Sequence, residues 1–246
     1  MAQFKSVRDI IEDYEWFRLP IIKRELAQCK DEEKYVYGVS TRFQGKLISC
    51  NGIADTLMEV NDDEYELSSE ERIDISANNL LTLYKNLHGN VSYAMPNSHQ
   101  KRWYNRLSNI IKALQQLKIQ EYRFTNFEHL YDVVRAIFVL NGHPNAFLTI
   151  YDAALRIGYN HAEPIYPSKF VYLYGGMGKN GTPRGPLGGA FALNGQQWVD
   201  EHFDKINHRI ETRWFHDKFP NLPSWEIESI LCIYADCFTY QMPYSD

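Results

Sequence analysis

No apolar run in the 246-residue sequence approaches the roughly 20 residues that a membrane-crossing helix requires, so no membrane partner is expected. An excess of positive charge is also missing. The 26 Lys and Arg against 31 Asp and Glu leave a formal charge of −5, which argues against a protein that coats nucleic acid through bulk charge and leaves room for a local basic surface. Cysteine is scarce, with four in the chain, and Met1 to Ile11 is charged and lacks the apolar core of a signal peptide. Reduced thiols and a cytoplasmic location are the expectation. There is no internal repeat, no low-complexity linker, no His-Glu-x-x-His and no Cys-x-x-Cys. Gly178-Lys179 is followed by Asn180, where a phosphate-binding P-loop has Ser or Thr. Neither a metal nor a cofactor is called for.

What is present is ordinary globular composition, 44% apolar and 23% charged, which argues against disorder. The periodicity predicts a mainly α protein, a helical bundle with an αα-hairpin and a small β or irregular insertion near residues 35–50. It reads as one compact unit, or as two closely packed lobes, 1–97 and 98–246. Val7, Ile10, Ile11, Tyr14, Phe17 and Ile21 recur at helical spacing over the first 27 residues, with Pro20 as a kink or boundary. Tyr35–Val39 and Lys46–Ser49 look like strands or irregular core segments, and the acidic stretch from Asp55 to Glu71 reads as a solvated loop or helix face.

From Ser98 to Arg123 the charge reverses. Lys101, Arg102 and Arg106 surround Trp103 and Tyr104, and Leu107, Ile110, Ile111, Leu114 and Leu117 form a helical apolar stripe. Two readings stay open, a core helix with a basic outer face and a phosphate-contacting surface.

Thr125-Asn126-Phe127-Glu128 fits a capping box, so a helix is expected to begin with Thr125 as its cap and to run along Leu130, Val133, Val134, Ile137 and Phe138. Asn141-Gly142 supplies a left-handed C-terminal stop and Pro144 bars continuation. Asn145 can cap a second helix, carrying Leu148 to Ile157 and ending at Gly158. The resulting hairpin packs a helical core, or its amides at Gly142, Asn145 and Thr149 grip a nucleic-acid phosphate.

Seven of the 14 glycines lie between Gly175 and Gly189, after the strand-like run Lys169–Tyr174. Gly176-x-Gly178-x-x-Gly181 has dinucleotide-fingerprint spacing, but Pro183 and Pro186 are expected to prevent the helix that must follow it. Lys179 and Arg184 make the segment a candidate phosphate clamp; an exposed loop without a ligand and a partner-contact loop are the alternatives.

His202, His208 and His216 fall in an expected helical region but at spacings that do not share a face. Asp204 and His208 are spaced for a helical pair, Asp152 and Arg156 for a surface pair, and Cys232 and Cys237 read as small buried thiols. Trp214, Phe215, Phe219 and Trp225 are expected in the core.

On Gly142, the hairpin and Leu148-Thr149-Ile150-Tyr151-Asp152, the chain resembles the helix-hairpin-helix DNA glycosylases of the 8-oxoguanine type, over Thr125 to Tyr174, about a fifth of its length. The hairpin's second glycine is Pro144 here, the catalytic lysine position falls on Thr149, and the region of the catalytic aspartate reads Phe170-Val171-Tyr172. The resemblance implies a glycosylase-like helical fold that recognises nucleic acid or a nucleotide ligand. It also implies that any chemistry is monofunctional base excision by an activated water, without a Schiff base, with Asp152 as the nearby carboxylate. The alternative is a non-enzymatic protein partner in a defence or stress system.

Overall fold

The computed structural model describes residues 4–37, 40–43, 46–49, 108–175 and 183–245. Among these the chain is mainly helical, with two small antiparallel ribbons.

α1 (Val7–Asp13) opens with a capping box in which Ser6 accepts from the Asp9 amide and Asp9 reaches back to the Ser6 amide. The helix then widens into a π turn, Tyr14–Arg18, before α2 (Leu19–Gln28). Pro20 is the cause. It has no amide to donate and its ring crowds the preceding turn, and the chain accommodates it by closing the Leu19 amide on Tyr14 O, five residues back.

α3 (Glu32–Tyr37) occupies part of the segment from Tyr35 to Val39 expected to be a strand or an irregular core segment, because Asp31 caps it through the Lys34 amide; Tyr35 and Val36 do go into the core. The expected Lys46–Ser49 strand is present as β2, paired antiparallel with β1 (Ser40–Phe43).

α4 (Ser108–Gln116) precedes the hairpin, formed by α5 (Phe127–Leu140) and α6 (Phe147–Asn160). Three details of the expected hairpin are corrected. Asn126, not Thr125, is the cap of α5, because its extended backbone aims the carboxamide at the His129 amide at 2.9 Å. Asn145 caps nothing: the α6 cap is Ala146, without a side-chain hydrogen bond. α6 also continues past Gly158 to Asn160, whose side chain donates to Leu26 O and Arg156 O. The turn itself is as expected. Gly142 has φ of +82°, its amide donates to Val139 O, and the His143 amide donates to Phe138 O.

α6 is buried on nearly every side, by Ile150, Tyr151, Ala153, Ala154, Leu155 and Ile157 among others. Each large aliphatic side chain hidden in this way contributes roughly 1.5–3 kcal/mol. Its neighbours α2, α3, α4 and α5 complete one core cluster. The second cluster joins α1 to β3 (Phe170–Tyr172), α7 (Gly185–Asn194) and α9 (Ser224–Ile233). α8 (Gln196–His202) and β4 (Arg209–Glu211), the partner of β3, close its edge. The N-terminal helix is thus held by the other end of the chain: Val7 and Arg8 donate to Pro243 O and Tyr244 O, and Tyr234 donates to Asp13.

Pro186 was expected to bar a helix and instead stands in the first turn of α7, where a missing amide costs nothing. His208 and His216 lie outside helices, so Asp204 forms no helical pair with His208; it accepts from the Ile206 and Asn207 amides in a tight loop and faces Arg209 at 3.7 Å. Phe215, Phe219 and Trp225 are core residues, whereas Trp214 is 42% exposed, held against His202 and Arg213.

Candidate active site

α6 carries Asp152 and Arg156 one turn apart, with Oδ2 and Nη2 3.7 Å from each other. This is no surface pair. Arg156 is buried, donates through Nη1 to Tyr35 O at 3.2 Å and meets Glu25 of α2 at 3.4 Å through Nη2. Burial opposes its charge, but Asp152 and Glu25 more than offset that and hold the guanidinium protonated. Asp152 keeps about a third of its side chain accessible. Partial burial pushes the carboxyl up to about 6; Arg156 opposes the shift and Glu25 adds to it.

A third carboxyl faces the same space. Glu228 lies on α9 and is 4% exposed, and it accepts the Tyr174 hydroxyl proton at 2.5 Å. Burial lifts it to about 8, against the hydrogen bond from Tyr174, with the nearby Asp152 charge raising it further. Ser229 Oγ donates to Trp225 O and stands 3.4 Å from the other Glu228 oxygen. Burial likewise keeps the Tyr174 phenol protonated.

These groups line a cavity of about 270 Å³ between α2, α6, α9 and the residue chain beyond β3. A second cavity, about 390 Å³, adjoins it and shares Leu148, Tyr174 and Cys232 as walls. Its other walls come from the start of α6 (Asn145, Phe147), from the two ends of the glycine-rich segment (Gly175, Arg184, Gly185, Pro186) and from His208. The Phe147 and His208 rings lie 4.0 Å apart, and burial together with the Arg135 charge keeps that imidazole neutral. Cys232, expected to be buried, is exposed on the rim.

Of the residues selected from sequence, Asp152, Asn145 and Arg184 therefore meet around one pair of cavities. Gly142 is exposed at the hairpin tip, and Thr149 is half-buried and lines neither cavity. Lys101, Arg102, Arg106 and Lys179 lie outside the described residues. Glu25, Tyr174 and Glu228 were not selected. For Glu228 a signal exists, since it stands among Ile227, Ile230 and Leu231 on an otherwise apolar part of its helix, and a carboxylate is costly to bury without a purpose.

Among the described residues no helix is long and apolar enough to cross a membrane, and no three His, Cys, Asp or Glu side chains are grouped to hold a metal. No protein-family model matches this chain, and neither a curated protein nor a solved structure matches it.

Proposed function

We propose that the protein recognises nucleic acid or a nucleotide-containing ligand through the hairpin and the adjoining cleft, and that it excises a base with an activated water. The observation that carries this reading is the position of Asp152. Its carboxylate lines a cavity continuous in its walls with one built from the hairpin's second helix and both ends of the glycine-rich segment. With its proton affinity near 6, Asp152 is largely ionised at neutral pH and able to take a proton from water. Arg184 and the N-terminus of α7 add positive potential at the mouth of the cleft, where a phosphate would lie. The reading places the protein in the cytoplasm.

A second reading rests on a different observation. Val139 and Leu140 at the end of α5, Leu148 at the start of α6, and Ile206 are 45%, 85%, 50% and 76% exposed, an apolar content suited to a protein partner.

Fluorescent single- and double-stranded oligonucleotides titrated at graded salt, together with mass-spectrometric assay of released base, separate the two. Phosphate-dominated binding weakens steeply with salt, and Asp152→Asn abolishes base release while leaving the melting temperature near that of wild type. Absence of both binding and release with DNA and RNA would favour the protein-partner reading.

A further inference from the structure

We infer that Glu228 is the acid that protonates the departing base, with Tyr174 as its positioning residue; this rests on the base-excision reading above. Three carboxyls line the cavity; Glu25 is paired with Arg156 at 3.4 Å, and the surroundings of the other two differ in kind. Asp152 faces the Arg156 guanidinium at 3.7 Å, whereas among the described residues no cation stands within ion-pair distance of Glu228, which meets a phenol at 2.5 Å. The charged and titratable groups around Glu228 are Arg18 and Glu25 on the first cavity wall, Asp152, Arg156 and Tyr151 on α6, Tyr14, Tyr174, and Cys232 on its own helix. Asp152 lies nearer to a cation and disfavours a second negative charge, so the carboxyl that keeps its proton at neutral pH is Glu228.

A single water hydrolysis then has both its proton steps assigned. The bond between the sugar C1′ and the base nitrogen breaks, its electron pair goes to the base, and the Glu228 proton goes to the base with it. Water oxygen bonds to C1′ and gives one proton to Asp152, which returns it through solvent to Glu228. The products are the free base and a sugar bearing a hydroxyl at C1′.

The test uses the full chain with oligonucleotides containing either 8-oxoguanine, a neutral base helped by protonation as it leaves, or 7-methylguanine, which is already cationic and leaves as a neutral molecule. Glu228→Gln should slow release of the neutral base by about 10²-fold or more and change release of 7-methylguanine only a few-fold. Asp152→Asn should slow both. Tyr174→Phe removes the hydrogen bond that lowers the proton affinity of Glu228, so the alkaline limb of the rate profile should move to higher pH. Equal effects of Glu228→Gln on the two substrates, or none, would overturn the proton-donor role and leave base excision standing. Wild-type protein inert on both substrates would overturn base excision itself, and the donor role with it. An unmoved alkaline limb in Tyr174→Phe would remove Tyr174 from the mechanism.

Discussion

The Tyr174 hydroxyl and the Glu228 carboxyl, 54 residues apart in the chain, meet at 2.5 Å in the wall of the cleft. The contact joins the segment after β3 to α9, and the burial of Glu228 there, which outweighs the hydrogen bond from Tyr174, makes the stability of the fold depend on pH. The folded protein holds the Glu228 proton up to about 8, whereas an ordinary glutamate releases it near 4.5. Between those values the folded state binds more protons than the unfolded one, so stability falls as pH rises through this window and levels off above it. Asp152 adds a smaller fall between about 3.8 and 6. Glu228→Gln should be more stable than wild type at pH 8, by on the order of a few kcal/mol, and little different at pH 4. Urea denaturation across that range checks the sign; parallel pH curves for the two proteins would show that Glu228 is ionised in the fold.

Arg156 provides the opposite case. It neutralises Glu25 and Asp152 and also donates to Tyr35 O, so Arg156→Leu leaves buried carboxyls without their cation. Such a loss typically costs about 3–5 kcal/mol. Arg156→Leu combined with Glu25→Leu should recover much of it, because the buried Glu25 charge is then gone and Asp152 keeps about a third of its side chain in water. A double-mutant cycle by chemical denaturation measures the coupling, and strict additivity would mean that the two side chains stabilise the fold independently.

Two glycines should respond to alanine for different reasons. At Gly142 the surrounding space is open, but φ is +82°, so Gly142→Ala meets only backbone strain and should cost about 1 kcal/mol. At Gly189 φ is ordinary, but a Cβ would intrude on the Leu231 carbonyl where α7 lies against α9. Gly189→Ala should therefore cost about 3 kcal/mol or more, since two packed helices must move apart. Thermal melts of the two variants give the order directly, and equal losses would refute the close approach of α7 to α9.

The contrast between local and distant contacts also explains what was legible in the sequence. Helical periodicity, a glycine stop and a proline break are local signals, and they located α5, the Gly142 turn and α6 to within a few residues. Local signals failed where two neighbours competed for one role. Thr125 and Asn126 both have capping side chains, and only the backbone geometry selects Asn126. Pro186 reads equally as a barrier or as a first-turn residue. Asp152 was recognisable as a carboxylate beside the hairpin, but the burial of its partner Arg156 was not, because the Glu25 that Arg156 also meets lies 131 residues away in the chain. The Tyr174 and Glu228 contact has the same origin: it exists only because β3 packs beside α9.

The last prediction concerns the lysine that the hairpin lacks. A glycosylase that proceeds through a Schiff base becomes covalently attached to an abasic sugar when the intermediate is reduced, and this requires a lysine amine at the reacting carbon. The resemblance puts that position at Thr149, which lines neither cavity, and the described walls of both contain no lysine. Lys169, the nearest lysine in sequence to β3, is exposed, with its ammonium over the Phe170 ring at 5.1 Å. On the proposed base-excision reading the chemistry is that of carboxyls and water, which forms no imine for borohydride to reduce. Borohydride added to the protein with abasic or 8-oxoguanine duplexes should therefore give no cross-linked band on a denaturing gel, while a base-release assay on the same duplexes reports on hydrolysis separately. A cross-link that survives in Lys169→Ala and disappears in Lys179→Ala would assign the chemistry to the glycine-rich segment instead, and with it a Schiff-base mechanism in place of activated water.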